Sequence, residues 1–164
     1  MNMEKKFELT DNFIINAFGV KLFQIKCTKS FKYAKEGDLG GYVEKDENLD
    51  QESDAWVSGN AEVSGNAEVY GNAEVYGNAR VSGDAEIDNN NKHCGFDCFG
   101  SANRHTHAYL TKENKVEITC GCFRGSIEEF EKRVEETHSG TIYEKQYKAI
   151  IDVIKIKFGL TDLI

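Results

Sequence analysis

VSGNAE (57–62), VSGNAE (63–68), VYGNAE (69–74), VYGNAR (75–80) and VSGDAE (81–86), closed by Ile87, are successive copies of one six-residue unit. Val57, Val63, Val69, Val75, Val81 and Ile87 share one register, and Ala61, Ala67, Ala73, Ala79 and Ala85 another. A period of six does not suit an α-helix. At about 3.6 residues per turn the valines would wind around the axis instead of forming a stripe. In an extended strand side chains alternate, so each Val and the Ala two positions before it face the same way. Gly-Asn or Gly-Asp lies between hexad strands, a pair that accepts positive φ. Each hexad is therefore a very short strand plus a corner. The fixed register of valines also separates this stretch from low-complexity disorder.

Upstream, Asn48-Leu49 and Asp54-Ala55 extend the Asn-Ala register less cleanly. Residues 43–92 are read as the repeat segment. Residues 1–42 read as a β cap: Phe13-Ile14-Ile15, the turn-like Asn16-Ala17-Phe18-Gly19 and Val20 to Cys27 suggest a hairpin. Such a cap would cover the apolar end of a repeat array. Residues 93–164 read as a β-β-α-α module. Asp97 to Thr111 and Lys115 to Cys122 are the expected strands. Ser126-Ile127-Glu128-Glu129 matches a capping box, His138-Ser139-Gly140 ends the first helix, and a second is expected over about 142–158. The fold class expected is mainly β with an α+β C-terminal module.

The hexads resemble the hexapeptide-repeat family, in which three hexads make one coil of a left-handed parallel β-helix. The stretches GDLGGYVEKDENLDQESDAWVSGNAEV (37–63) and CGCFRGSIEEF (120–130) also resemble hexapeptide proteins of bacteriophages and prophages, a group with no established chemistry. The first resemblance implies a short left-handed β-helix packed as a homotrimer. The second implies a phage setting and, by analogy, antagonism of a host defence.

Composition narrows the function. The chain has 164 residues and a formal net charge of −8, which disfavours non-specific binding to nucleic acid or anionic lipid. No apolar run approaches the roughly 20 residues of a membrane span. Met1 to Lys6 is polar with no apolar stretch behind it, so no secretory signal is expected. Five cysteines, Cys27, Cys94, Cys98, Cys120 and Cys122, with no export signal point to the reducing cytoplasm, in a host cell if the chain is phage-encoded.

Catalysis by either activity that the hexapeptide resemblance implies, acyl transfer or metal-dependent hydration, requires histidines on the coils, and residues 43–92 contain none. A metal site would draw on His93, Cys94, Cys98, Cys120 and Cys122, but C-x3-C and C-x-C are not the usual zinc spacings. The alternative is small buried thiols, and no cofactor is expected. An anion pocket is the third candidate. Ser101, Asn103, Arg104, His105, His107, Arg124 and Ser126 are rich in donors and free of acids. Period two puts Asn103, His105 and His107 on one strand face and Arg104 on the other, while Arg124 and Ser126 precede a helix whose N–H groups favour anions. Against this stands an ordinary N-cap with Arg124 paired to a surface Glu. Tyr70 and Tyr76 take the Ser register and are candidate oligomer contacts.

The reading is a non-enzymatic, homo-oligomeric binding protein. Its repeat would be an assembly platform, and its C-terminal module would recognise a host protein or an anionic, nucleotide-like ligand. An acyl- or nucleotide-transferase and a structural scaffold or virion component are the alternatives.

Overall fold

The computed structural model describes residues 4–161, so residues 1–3 of the polar Met1–Lys6 stretch and residues 162–164 lie outside the described residues. Strands β1 (Phe7–Ile15) and β2 (Lys21–Cys27) form the expected antiparallel hairpin. Its turn is built by Asn16, whose Oδ1 accepts the N–H groups of Phe18 and Val20, both at 2.9 Å. Strand β3 (Leu39–Val43) pairs antiparallel with β2 and parallel with the repeat.

In the repeat each hexad supplies one two-residue strand: β4 (Trp56–Val57), β5 (Glu62–Val63), β6 (Glu68–Val69), β7 (Glu74–Val75), β8 (Arg80–Val81) and β9 (Glu86–Ile87). They pair in parallel at a spacing of eighteen, Val57 with Val75, Val63 with Val81 and Val69 with Ile87. The backbone explains the spacing. Trp56 N–H donates to Ala73 O at 3.0 Å, Glu62 N–H to Ala79 O at 2.9 Å and Glu68 N–H to Ala85 O at 2.9 Å. Valine and alanine side chains fill the interior, each at most 1 % exposed. Gly59 turns the corner at φ +61°, and a Cβ there would lie 3.3 Å from the amide nitrogen of Gly77 in the next layer. Both the left-handed backbone and the close stacking favour glycine. Directly opposed carboxylates in one ladder, Glu68 and Glu86, are each relieved, Glu68 by Lys112 at 3.3 Å and Glu86 by the Tyr70 hydroxyl at 2.5 Å. Tyr76, by contrast, is 63 % exposed.

The left-handed β-helix is not what the strands establish. Parallel pairing is confined to these short ladders, and one of them is continuous with the antiparallel hairpin in a mixed five-stranded sheet, β1-β2-β3-β5-β8. The N-terminal hairpin thus extends a side of the stack. Near it, Lys6 is buried, its Nζ donating to Ser53 O and Ala55 O at 2.7 Å, and burial lowers its pKa to about 8.

The C-terminal module also departs from the expected β-β-α-α order. It is a four-stranded antiparallel meander, β10 (His93–Phe99), β11 (Arg104–Leu110), β12 (Val116–Cys120) and β13 (Phe123–Ser126), followed by α1 (Ile127–His138) and α2 (Ile142–Lys157). The strand expected over 97–111 is broken by Cys98, Gly100 and Asn103, at φ of +66°, +79° and +49°. Gly121, at φ +58°, turns β12 into β13, so Arg124 and Gly125 belong to an edge strand rather than to a free helix start. The mainly β, α+β class holds.

One face of the meander carries Ala108, Ile118 and Cys120 against Phe130, Val134, Tyr147, Ile150, Ile151 and Ile154 of the helices. The other face covers the last layer of the stack. Tyr109 is fully buried among the repeat valines, Ala85 bridges to Thr111, and Thr119 donates to Arg80 O at 2.7 Å. Val69, between Leu49 and Ile87, tests the interior. Val69→Asp should lose several kcal/mol in chemical denaturation, because the charge has no partner there. Tyr76→Ser at the exposed register should change stability by no more than about 0.5 kcal/mol.

Candidate anion pocket and imidazole chain

The apolar stripe of α1 is interrupted where it meets the sheet. Phe130 and Val134 continue it, but Arg133, Thr137 and His138 turn into the space between α1, α2 and the meander. There they line a pocket of about 190 Å³ with Ser101, Arg104, Cys120 and Tyr147. Three of these residues are basic, and no carboxylate is among the lining residues. Neither Arg104 nor Arg133 has a carboxylate partner among the described residues. Arg133 lies 5.4 Å over the Phe123 ring, and His138 stacks on Tyr147 at 5.5 Å.

Local sequence explains how Arg104 reaches this space. It leads β11 after the Gly100–Asn103 turn and lies across Gly121, where any Cβ would overlap the guanidinium. At the floor, Thr106 Oγ1 donates to Cys120 Sγ at 3.3 Å, and the Tyr147 hydroxyl is 3.8 Å from the same sulfur. Burial and the neighbouring Cys120 push the Tyr147 pKa up, which keeps the phenol protonated as a donor. One effect opposes an anion here: His138 ends α1, and a helix C-terminus carries about half a negative charge. Two arginines outweigh it in sign and size.

The seven candidate ligand-binding residues are not brought together in one site. Ser101 and Arg104 line the pocket. Asn103 and His105 line a wider, open groove between the stack, the hairpin and the module, with Arg104 at its edge. Arg124 is elsewhere: it pairs with Glu117 at 3.3 Å, and its register partner Thr119 faces the stack, on the side of the sheet opposite the pocket. The helix start is occupied by the chain itself. Ser126 Oγ accepts the Glu129 N–H at 3.1 Å, and the Glu129 carboxylate accepts the Ser126 N–H at 3.0 Å. Arg133, His138 and Tyr147 are the lining residues that strand alternation and motif spacing missed. The interruption of the α1 stripe by Arg133 and Thr137 was the available signal.

His107 is buried in a hydrogen-bonded chain. Asp97 Oδ1 is 2.6 Å from His105 Nδ1, His105 Nε2 is 3.0 Å from His107 Nδ1, and His107 Nε2 is 3.0 Å from His93 Nδ1. His93 Nε2 is 3.4 Å from Asn90 Oδ1. Burial lowers the His107 pKa well below its ordinary value, and burial with Lys157 nearby lowers that of His93 to about 4.

No family model matches the chain, and no curated protein matches it. That finding, with the mixed and antiparallel sheets, overturns the resemblance to hexapeptide-repeat proteins and to their phage and prophage members. The metal candidates are likewise dispersed. All five cysteines are free thiols, and among the described residues no three of His, Cys, Asp or Glu are placed to share an ion. No helix among the described residues is long and apolar enough to cross a membrane.

Acid stability checks the buried imidazoles. Unfolded His93 and His107 take protons near pH 6.5, whereas the folded state resists them. The unfolded chain therefore binds more protons as pH falls. Stability should be fully present above about pH 6.5 and decline below it, by up to ~1.4 kcal/mol per pH unit for each group excluded. Urea midpoints that stay level between about pH 6.5 and 5.5 would contradict the assignment of both groups as buried and neutral.

Proposed function

We propose that the chain is a binding protein whose C-terminal module holds a small oxyanion, a phosphate or carboxylate group, in the pocket between the meander and the two helices. The carrying observation is that Arg104 and Arg133 meet there, without carboxylate partners, in a protein of net charge −8. Arginine forks match phosphate and carboxylate oxygens, and the Tyr147 hydroxyl adds a donor. At about 190 Å³ the pocket is below the roughly 300–1,000 Å³ of sites that enclose larger ligands. A nucleotide-like ligand would insert its anionic head and leave its remainder in the groove that Arg104 also edges. The equipment is that of binding: cations and donors converge on one small cavity.

Two further parts of the reading have their own support. Self-association into a trimer is favoured by large exposed apolar side chains, Phe13, Ile15 and Phe18 on the hairpin and Tyr76 on the stack, and light scattering on the purified chain would give its mass. Residence in a reducing cytoplasm is favoured by the five unpaired thiols.

Thermal shift and calorimetry with inorganic phosphate at low salt test the pocket. Phosphate should raise Tm in a concentration-dependent way. Arg104→Ala and Arg133→Ala should each weaken binding by about 1.5–3 kcal/mol, the range for charged hydrogen bonds, while Arg124→Ala leaves it unchanged. Added salt should weaken it further. Equal losses in all three variants would show that general surface charge, not this pocket, is responsible.

A further inference from the structure

The hydrogen-bonded chain on the stack-facing side of the meander has an unusual proton count. It contains four gaps: Asp97 to His105, His105 to His107, His107 to His93, and His93 to Asn90. Both ends are acceptors. Asp97 ends it with a carboxylate, and Asn90 ends it with Oδ1, which already accepts the Glu74 N–H at 2.9 Å. A neutral imidazole carries one N–H. Three of them can fill three gaps, so the neutral chain leaves two lone pairs facing each other. One additional proton fills all four.

We infer that Asp97, His105, His107 and His93 form a single proton-binding site, in which one proton taken up at His93 Nε2 resets the tautomers of His93 and His107, leaves the charge on His105 and closes the bond to Asn90. In the neutral form His105, His107 and His93 each hold the proton on Nδ1 and donate towards Asp97. His93 Nε2 and Asn90 Oδ1 then oppose each other, across the longest gap of the chain. In the charged form His105 holds protons on both nitrogens. His107 and His93 are neutral and hold theirs on Nε2, so every donor except His105 Nδ1–H, which still faces Asp97, points inwards to Asn90. Atoms balance: one proton enters at His93 Nε2, the His93 Nδ1 proton crosses to His107 Nε2, and the His107 Nδ1 proton crosses to His105 Nε2.

The surroundings decide where the charge rests. Asp97, 55 % exposed at its side chain, is the counter-ion at the His105 end, and Asn78 reaches the same carboxylate from the stack at 3.5 Å. Arg104, next along β11, and the Glu62–Arg80 ion pair, joined at 2.8 Å, line the same groove as His105. The ammonium of Lys157 on α2 acts on His93 and on the Cys94 thiol, so it repels a proton at the far end. The interior excludes charge from His107, which is 3 % exposed. Gly95 makes the arrangement possible, since a Cβ there would lie 2.5 Å from His105 Cε1 and 2.8 Å from His107 Nδ1. The inner end matters because Asn90 is tied to Glu74, a strand residue of the stack. Proton uptake therefore tightens the junction of module and stack without moving a heavy atom.

The test is long-range 1H–15N NMR of the full chain with labelled histidine, across about pH 5 to 8. His105 should become charged while His107 and His93 stay neutral and pass from Nδ1–H to Nε2–H at the same midpoint. Asp97→Asn, at an exposed side chain, should lower the shared midpoint by about 1 unit or more, the effect of removing a close opposite charge. Separate midpoints for the three rings, unchanged tautomers at His93, a charged His107, or an unmoved midpoint in Asp97→Asn would each overturn the inference. Phosphate binding in the pocket plays no part in these readouts.

Discussion

The backbone bond from each stack strand to a carbonyl seventeen residues further on, as from Glu62 N–H to Ala79 O, is the constraint on which the molecule depends. It places Val57, Val63 and Val69 over Val75, Val81 and Ile87, and the corner glycines Gly59 and Gly65 against Gly77 and Gly83. It also leaves two ends that cannot be left bare, because each terminal layer would expose apolar side chains and unpaired amides. The C-terminal meander meets that need at one end with Tyr109. The phenol is buried among the valines, while its hydroxyl donates to Glu117 at 2.8 Å and is 3.4 Å from Ser82 Oγ. Covering the stack thus dictates which face of the meander turns towards it.

That choice divides the chemistry of the module. Strand alternation sends His105, His107 and Tyr109 to the stack side and Arg104, Thr106 and Ala108 to the helix side. On the stack side, polar groups are buried with their partners, and no buried side-chain nitrogen or oxygen among the described residues lacks one. On the helix side, Arg104 and Arg133 keep their charges without carboxylates. An internal hydrogen-bonded network and a cationic cavity therefore lie on opposite faces of one four-stranded sheet.

Residues with a regular period were legible. The valines, the hairpin around Asn16, the Ser126–Glu129 cap and the buried stripe Tyr147, Ile150, Ile151 and Ile154 follow from alternation, turn chemistry and helical spacing. Gly100 and Asn103 defeated the reading of 97–111 as one strand, because left-handed backbone at a non-glycine residue leaves a weak trace in composition. Arg124 was misplaced for a related reason: the helix cap was seen, but not the edge strand that ends in it. Arg104 and His107 were close in sequence and were grouped, although alternation had already put them on opposite faces. The pocket itself depends on Arg133 and His138 packing against a strand some thirty positions away, a distance at which no local pattern reports.

The ladder spacing has a consequence for how such a chain can change length. Inserting or deleting eighteen residues would add or remove one whole layer, about 4.8 Å thick, and return the meander to the same side of the stack. A change of six would keep every valine inward yet carry the meander to a different ladder. Tyr109 would then find no Ser82, and Thr119 no Arg80 carbonyl. Drift in this segment is therefore quantised. Its length can vary only in steps that preserve the docking seat above it.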